Sequence, residues 1–261
     1  RPQVIAIAVT ALLVLGLQPS GSGQTARGNL TVQSFNKAKK ALERAVYADY
    51  RVTFYCGCAF TAARQISFSN GYVPRRAGRR ASRIEWEHVV PAHAFGKSFP
   101  AWVSGDSRCI DSKNRPFKGR NCARKTEPLF RYMEADMHNL VPAVGEINGL
   151  RSNYSFAMIP GERRSFGSCD MEIENRKAEP RPEIRGDIAR IYKYMDWAYP
   201  GRGVISGKNR SLFDAWDRQD PVDRWECERA RRIEQIQGNP NPFVQGACLQ
   251  SEPTYEARVA E

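Results

Sequence analysis

Seven cysteines, Cys56, Cys58, Cys109, Cys122, Cys169, Cys227 and Cys248, lie downstream of an apolar N-terminal run. That order decides how they are read. Arg1 precedes the apolar stretch Val4 to Leu17, and Gln18, Pro19 and the small residues Ser20, Gly21, Ser22 and Gly23 follow it. A positive start, a short apolar region and a small-residue exit describe a secretory signal over residues 1–23. The run is short for a spanning helix, which needs about 20 apolar residues. Beyond the membrane the compartment is oxidising, so most of the cysteines are expected in disulfides. An odd number leaves one thiol over or pairs it between chains. Cys56 and Cys58 are separated by Gly57 alone, which disfavours a bridge between them. No repeated C-x-x-C occurs, so a zinc ribbon is disfavoured.

The rest of the chain reads as one folded unit. At 261 residues, 41% hydrophobic and 26% charged, it can bury a sizeable core. No internal repeat or clear linker divides residues 30–250. A single α+β domain is expected there, after a polar linker at 24–29 and before a C-terminal tail at 251–261. Ser34 suits an N-cap, and Phe35, Ala38, Leu42, Ala45 and Val46 recur at helical spacing over 34–50. Val52 to Tyr55 suits a short strand. Residues 69–83 and 96–121 read as long loops. Residues 178–183 lead into a helix over 185–199 whose stripe is Ile188, Ile191, Tyr192 and Met195. Two more helices fill 211–237, broken at Asp220 and Pro221. Lysine plus arginine number 40 against 28 acids, a net charge of +12. That excess suggests a polyanionic partner, nucleic acid or an anionic membrane surface. No second apolar run follows the leader, so the mature chain is expected to be soluble, without stable membrane association, and monomeric.

The chemistry-bearing residues concentrate in two segments. In Arg83 to Pro91, Ile84, Trp86, His88 and Val90 alternate with Glu85, Glu87 and Val89, as in a strand. Adjacent Glu87 and His88 would face opposite sides of a regular strand, so one site can use both only if the strand kinks or ends there. His88, His93 and His138 are the three histidines. There is no H-E-x-x-H, no G-x-S-x-G and no P-loop, which disfavours a zinc peptidase, a serine hydrolase and a P-loop NTPase. In the second segment, Pro142 suits the first turn of a helix. From there Ala143, Ile147 and Leu150 share one face, and Val144, Asn148, Arg151 and Ser152 another. Asn inside a helix is mildly unfavourable, a weak sign of another purpose for Asn148.

Strand, long loop and helix, with His-Glu on the strand and Asn on the helix, form a known nuclease arrangement. The run Glu85-Trp-Glu-His-Val-Val-Pro-Ala92 resembles the endonuclease I family of periplasmic and secreted nucleases. So do Phe54-Tyr-Cys-Gly-Cys58, Asn121-Cys-Ala123 and Met133-Glu-Ala-Asp-Met-His-Asn-Leu140. So do Gly145-Glu-Ile-Asn-Gly149, Trp225-Glu-Cys-Glu-Arg229 and Gln237-Gly-Asn-Pro-Asn-Pro242. These matches come in order across most of 34–249.

The resemblance implies a ββα-metal (His-Me finger) core surrounded by helices and divalent-metal-dependent cleavage of nucleic acid. It implies His88 as general base, Glu87 and Asn148 as metal ligands, and Glu134 as a supporting acid orienting His88. An arginine before the Asn-Cys pair would contact the phosphate. The family reads close to Gly-Arg-Lys-Asn-Cys where this chain has Lys118-Gly-Arg-Asn-Cys122, so Arg120 is expected in that role, with Lys118 as its substitute. Members typically carry Cys-Gly-Tyr where this chain has Asn70-Gly71-Tyr72. Three disulfides and one free thiol, at Cys56 or Cys58, follow from that departure. The loop before Asn121 is also longer than usual.

A mechanism follows from charge. A neutral imidazole, with an ordinary pKa of about 6.5, can take a proton from water near pH 7. Mg²⁺, with Mn²⁺ or Ca²⁺ as substitutes, needs oxygen ligands and keeps waters. The expected reaction is one-metal, in-line hydrolysis leaving 5′-phosphate ends. Arg75, Arg76, Arg79 and Arg80, with Lys118 and Arg151, are expected contacts for double- or single-stranded DNA, and the resemblance extends the substrate to RNA. No module that reads sequence is present. The competing readings are a catalytically inactive secreted DNA-binding protein on the same scaffold and a basic structural protein of the envelope.

Overall fold

The computed structural model describes residues 27–161 and 163–251. The expected leader and nearly all of the expected tail lie outside the described residues. In chain order, Phe35–Ala41 is α1, which continues as a π-helical turn over Leu42–Val46; Ile84–His88 is β1. Ala92–Gly96 is α2, Pro100–Val103 α3, Arg120–Thr126 α4 and Pro128–Glu134 α5. Leu140–Val144 is β2, Gly145–Arg151 α6, Ser155–Phe156 β3, Met171–Glu174 β4 and Lys177–Pro180 β5. Arg185–Ala198 is α7, Gly207–Gln219 α8, Arg224–Gln237 α9 and Pro242–Ser251 α10. The chain is thus α+β.

Local chemistry sets several of these boundaries. Ser34 caps α1 by accepting from Lys37 N. Pro100 and Pro128 sit in the first turns of α3 and α5, where their missing N–H costs nothing. Asp223 and Glu226 form a capping box on α9, which ends at Gly238 in the left-handed region. The expected stripe of Ile188, Ile191, Tyr192 and Met195 is the buried face of α7.

Strands β1 and β2 pair antiparallel, from Ile84 opposite Val144 to His88 opposite Leu140. A second sheet has the order β3-β5-β4. Every residue of β2 is buried, so the first sheet runs through the core rather than over it.

Four sequence expectations change. Val52–Tyr55 makes no strand: Val52 bridges Ala59 and a turn intervenes. The region 96–121 carries α3, an Ile110–Pro116 bridge and the start of α4, so it is not a plain loop. Of the linker expected at 24–29, Asn29 is fully buried, and its amide Nδ2 donates to Val32 O and Tyr132 O. Pro142 lies within β2, not in a helix. Its carbonyl turns away from β1 to accept from Phe54 N at 2.8 Å, so a residue without an N–H is tolerated there. The helix that carries Asn148 therefore begins at Gly145.

The disulfides are Cys56–Cys169, Cys109–Cys122 and Cys227–Cys248, and Cys58 is a buried free thiol. The expected three bridges and one thiol, at one of the two expected positions, are present. Asn70 stands beside them: it donates to Cys56 O at 2.9 Å, and its side chain lies near enough to the Cys58 thiol to pull that thiol's pKa down against burial. Asn70→Cys should therefore close a fourth bridge with Cys58. The expected result is no free thiol in denatured, unreduced protein and a gain of roughly 3 kcal/mol for a loop of this size. Two titratable thiols would contradict it.

Buried polar groups fix the segment between α5 and β2. Asp136 accepts from Tyr194 and Tyr199 hydroxyls, Gln237 Nε2 and His138 N. Arg229 donates to the carbonyls of Met137, His138 and Leu140. His138 Nε2 lies 3.1 Å from Asn239 O, and burial lowers its pKa to about 4. A lowered histidine contributes stability that is complete above its unfolded pKa and lost as pH falls toward the folded one. Here that window runs from about 6.5 down to about 4. Relative to His138→Gln, the wild type should lose about 3 kcal/mol of unfolding free energy across it. Parallel denaturation curves at all pH values would contradict this.

Candidate active site

A cleft of about 370 Å³ opens where the end of β1 meets α1, α4 and α6. Glu87 and His88 come from β1, Asn148 from α6, Arg120 from α4 and Phe35 from α1. His93, Trp102, Ser152 and Asn153 line the other wall. Glu87 and His88 thus share one site, as they can where a strand ends. Past His88 the ladder is continued by Asn139, whose side chain accepts from Val90 N and donates to Val90 O.

The tautomer of His88 is set by its surroundings. Its Nε2 lies 2.8 Å from the carbonyl oxygen of Glu134. A carbonyl only accepts, so Nε2 carries the proton and Nδ1 keeps a lone pair. Burial, and next the charge of Arg120, lower its pKa to about 4. At neutral pH the ring is an uncharged acceptor. Phe35 packs on it at 4.8 Å between ring centroids.

The structure corrects the part expected of the Glu134 carboxylate. It is the backbone of Glu134 that orients His88. The carboxylate accepts from Arg120 Nε at 2.5 Å and from Arg124 at 2.6 and 2.7 Å. Burial raises its pKa, but the bonds and charges of Arg124 and Arg120 outweigh that and hold it below the usual range. Arg120 is gripped by its Nε, and its terminal nitrogens have no protein partner among the described residues. Lys118 is exposed and lines a separate depression with Ser104 and Pro116, whereas Arg120 lines the cleft itself.

Glu87 and Asn148 each present an oxygen. Glu87 Oε1 accepts from Arg151 at 2.8 Å and from the Tyr55 hydroxyl at 3.3 Å. Burial raises its pKa to about 6 against the pull of Arg151. Asn148 donates its Nδ2 to Glu85 at 3.0 Å, and Glu85 is held in turn by Arg80. That bond fixes which end of the amide is nitrogen and leaves Oδ1 available. A Cβ at Gly149 would come within 2.3 Å of Arg80 Nη1, so glycine there lets the guanidinium lie against α6. Among the described residues no group of three or more His, Cys, Asp and Glu could hold a metal. One carboxylate and one amide oxygen suit a hard divalent cation that keeps most of its waters.

Arg151 is the clearest correction. It is fully buried, and donates to Glu87, His88 O and Val89 O while its guanidinium lies 4.6 Å over the Phe156 ring. It braces the end of β1 from inside and, with no exposure, does not reach a ligand in solvent as a nucleic-acid contact must. Arg75, Arg76, Arg79 and Arg80 are exposed on a loop that wraps the first turn of α6. Arg75 N and Arg76 N donate to the Glu146 carboxylate, and Arg80 O accepts from Glu146 N. Sequence reasoning passed over Arg124 and Glu85. Both had a signal: Arg124 lies one helical turn from Arg120, and Glu85 shares a strand face with Glu87 by period two.

A family model described as Endonuclease I matches residues 30–248. The chain belongs to the endonuclease I family. An extracellular deoxyribonuclease of Aeromonas hydrophila is 44% identical over 227 residues, 84% of this chain and 92% of that protein. A periplasmic deoxyribonuclease of the same species is 44% identical over 223 residues, 83% of this chain and 87% of its own. An extracellular ribonuclease of Bacillus subtilis strain 168 is 33% identical over 133 residues, 42% of this chain and 43% of its own. The span matched to the endonuclease I family contains every residue lining the cleft.

Proposed function

We propose that this endonuclease I protein is a periplasmic or secreted nuclease that hydrolyses phosphodiester bonds of DNA, and of RNA, with little sequence preference. One observation carries the reading: a neutral His88 with a free Nδ1 shares a cleft with the Glu87 and Asn148 oxygens and the unpaired end of Arg120. The names of the relatives support the substrate and the compartment. In this reading β1, β2 and α6 are the ββα-metal core.

Glu87 and Asn148 would hold a divalent cation, Mg²⁺ or its substitutes Mn²⁺ and Ca²⁺. When bound, such an ion supplies positive charge to the phosphate and to the departing oxygen. The terminal N–H groups of Arg120 bind a non-bridging phosphate oxygen. His88 Nδ1 takes a proton from a water as its oxygen bonds to phosphorus, and the bond from phosphorus to the 3′-oxygen breaks. The 3′-oxygen leaves as an alcohol after protonation by water, and the phosphate stays on the 5′ side. Glu134 O accepts the Nε2–H hydrogen bond throughout, holding the ring in place as it becomes an imidazolium.

The nature of the ends tests this. Fragments of a defined duplex should be substrates for a ligase without prior phosphorylation, as 5′-phosphates are. Fragments ending in 3′-phosphate would reject this direction of attack. Gel retardation of DNA without any cutting would favour the inactive binding protein instead.

A further inference from the structure

Phe35 and Lys39 lie one turn apart on α1, so their side chains share a face. Phe35 covers His88, and Lys39 Nζ sits 4.5 Å over the same phenyl ring. Arg120 reaches that ring as well, at 5.7 Å. The cations whose charges act on Lys39 have acids: Arg64 pairs with Glu43, and Arg120 and Arg124 share Glu134. Among the described residues Lys39 has no carboxylate within ion-pair distance. A ring face holds an ammonium in place without neutralising it.

We infer that Lys39, beside the cleft over the Phe35 ring that lines it, is a second phosphate-binding group, holding the phosphodiester next to the scissile one. The inference rests on the nuclease reading of the site. Arg120 serves the scissile phosphate at one side of the Phe35 ring, and Lys39 presents the next positive charge over that ring. Burial, then the charges of Arg64, Arg120 and Arg124, lower the Lys39 pKa, and the more weakly felt charge of Glu134 opposes them only in part. This crowding of like charge is unfavourable in the free protein and is relieved when a polyanion enters. The ligand class is therefore an oligonucleotide with at least two consecutive phosphates rather than an isolated phosphodiester. Phe35 fixes both ends of the device, because it packs on His88 and carries the Lys39 stem.

Salt dependence reads this role directly. Each phosphate neutralised contributes about one to the slope of log binding against log salt. In EDTA, where no cleavage is needed, Lys39→Gln should bind a short oligonucleotide with a slope shallower by about one, and Lys39→Arg should restore it. With metal, Lys39→Gln should raise KM about tenfold and leave kcat within about twofold. A trinucleotide with one linkage made a neutral methylphosphonate completes the test. The wild type should bind it more weakly than the all-phosphate parent for both placements, through Arg120 at the scissile linkage and Lys39 at the next, whereas Lys39→Gln should keep only the penalty at the scissile linkage. An unchanged salt slope overturns the inference. So does a fall in kcat at constant KM, because Lys39 would then act only through the packing of Phe35 on His88. A wild type that binds with the steeper slope but never cuts defeats the nuclease reading while leaving the Lys39 result legible.

Discussion

His88→Ala should lower kcat/KM for plasmid cleavage by about 10³-fold. The expectation follows from the tautomer. Nε2 is committed to Glu134 O, so Nδ1 is the free lone pair of the ring at the cleft. Burial and Arg120 keep the ring neutral at working pH, so nearly all molecules hold the base in its competent form. The substitution removes that acceptor and leaves a space beneath Phe35. Added imidazole should enter it and restore part of the rate, which separates loss of a base from loss of the fold. Activity within about tenfold of wild type would assign the proton to another group.

Arg151→Met should unfold the protein more readily than any surface substitution, by about 3–5 kcal/mol. The guanidinium is the charge partner of buried Glu87 and also satisfies the carbonyls of His88 and Val89. Its removal leaves the buried Glu87 carboxylate with the Tyr55 hydroxyl but no cationic partner, and takes the guanidinium donors from the carbonyls of His88 and Val89. For a chain of this size the melting temperature should fall by roughly 10 °C. The salt slope for DNA binding should stay at the wild-type value, because a side chain with no exposure meets no phosphate. A melting temperature within about 2 °C of wild type together with a shallower slope would return Arg151 to the substrate surface.

Arg151 also marks where the sequence stops being legible. Its charge and its place on the face of Asn148 favoured a nucleic-acid contact. Only tertiary packing turns that face of α6 toward Glu87, and no local pattern reports a buried ion pair. Pro142 failed for a related reason. A proline in an apolar run fits a first helical turn as well as an edge position, and only the bond to Phe54 N decides. Glu134 was found as a residue but not as an atom, since its carbonyl does the work assigned to its carboxylate. What could be read in advance were local signals: the Ser34 cap, the α7 stripe and the β1 alternation. The Glu87, His88 and Asn148 constellation came from the resemblance, and the cleft brings those residues together. The single free thiol is legible from the cysteine count and from Asn70 standing beside Cys56 and Cys58.

The central claim is that a divalent cation held by Glu87 and Asn148 works with His88 on phosphodiesters. Its most direct test strips the mature protein with EDTA, mixes it with supercoiled plasmid and adds back Mg²⁺. Wild type should leave the plasmid intact in EDTA and degrade it once Mg²⁺ is restored, whereas Asn148→Ala should fail to recover at the same concentration. Cleavage that persists in EDTA, or that returns equally in Asn148→Ala, would contradict the account.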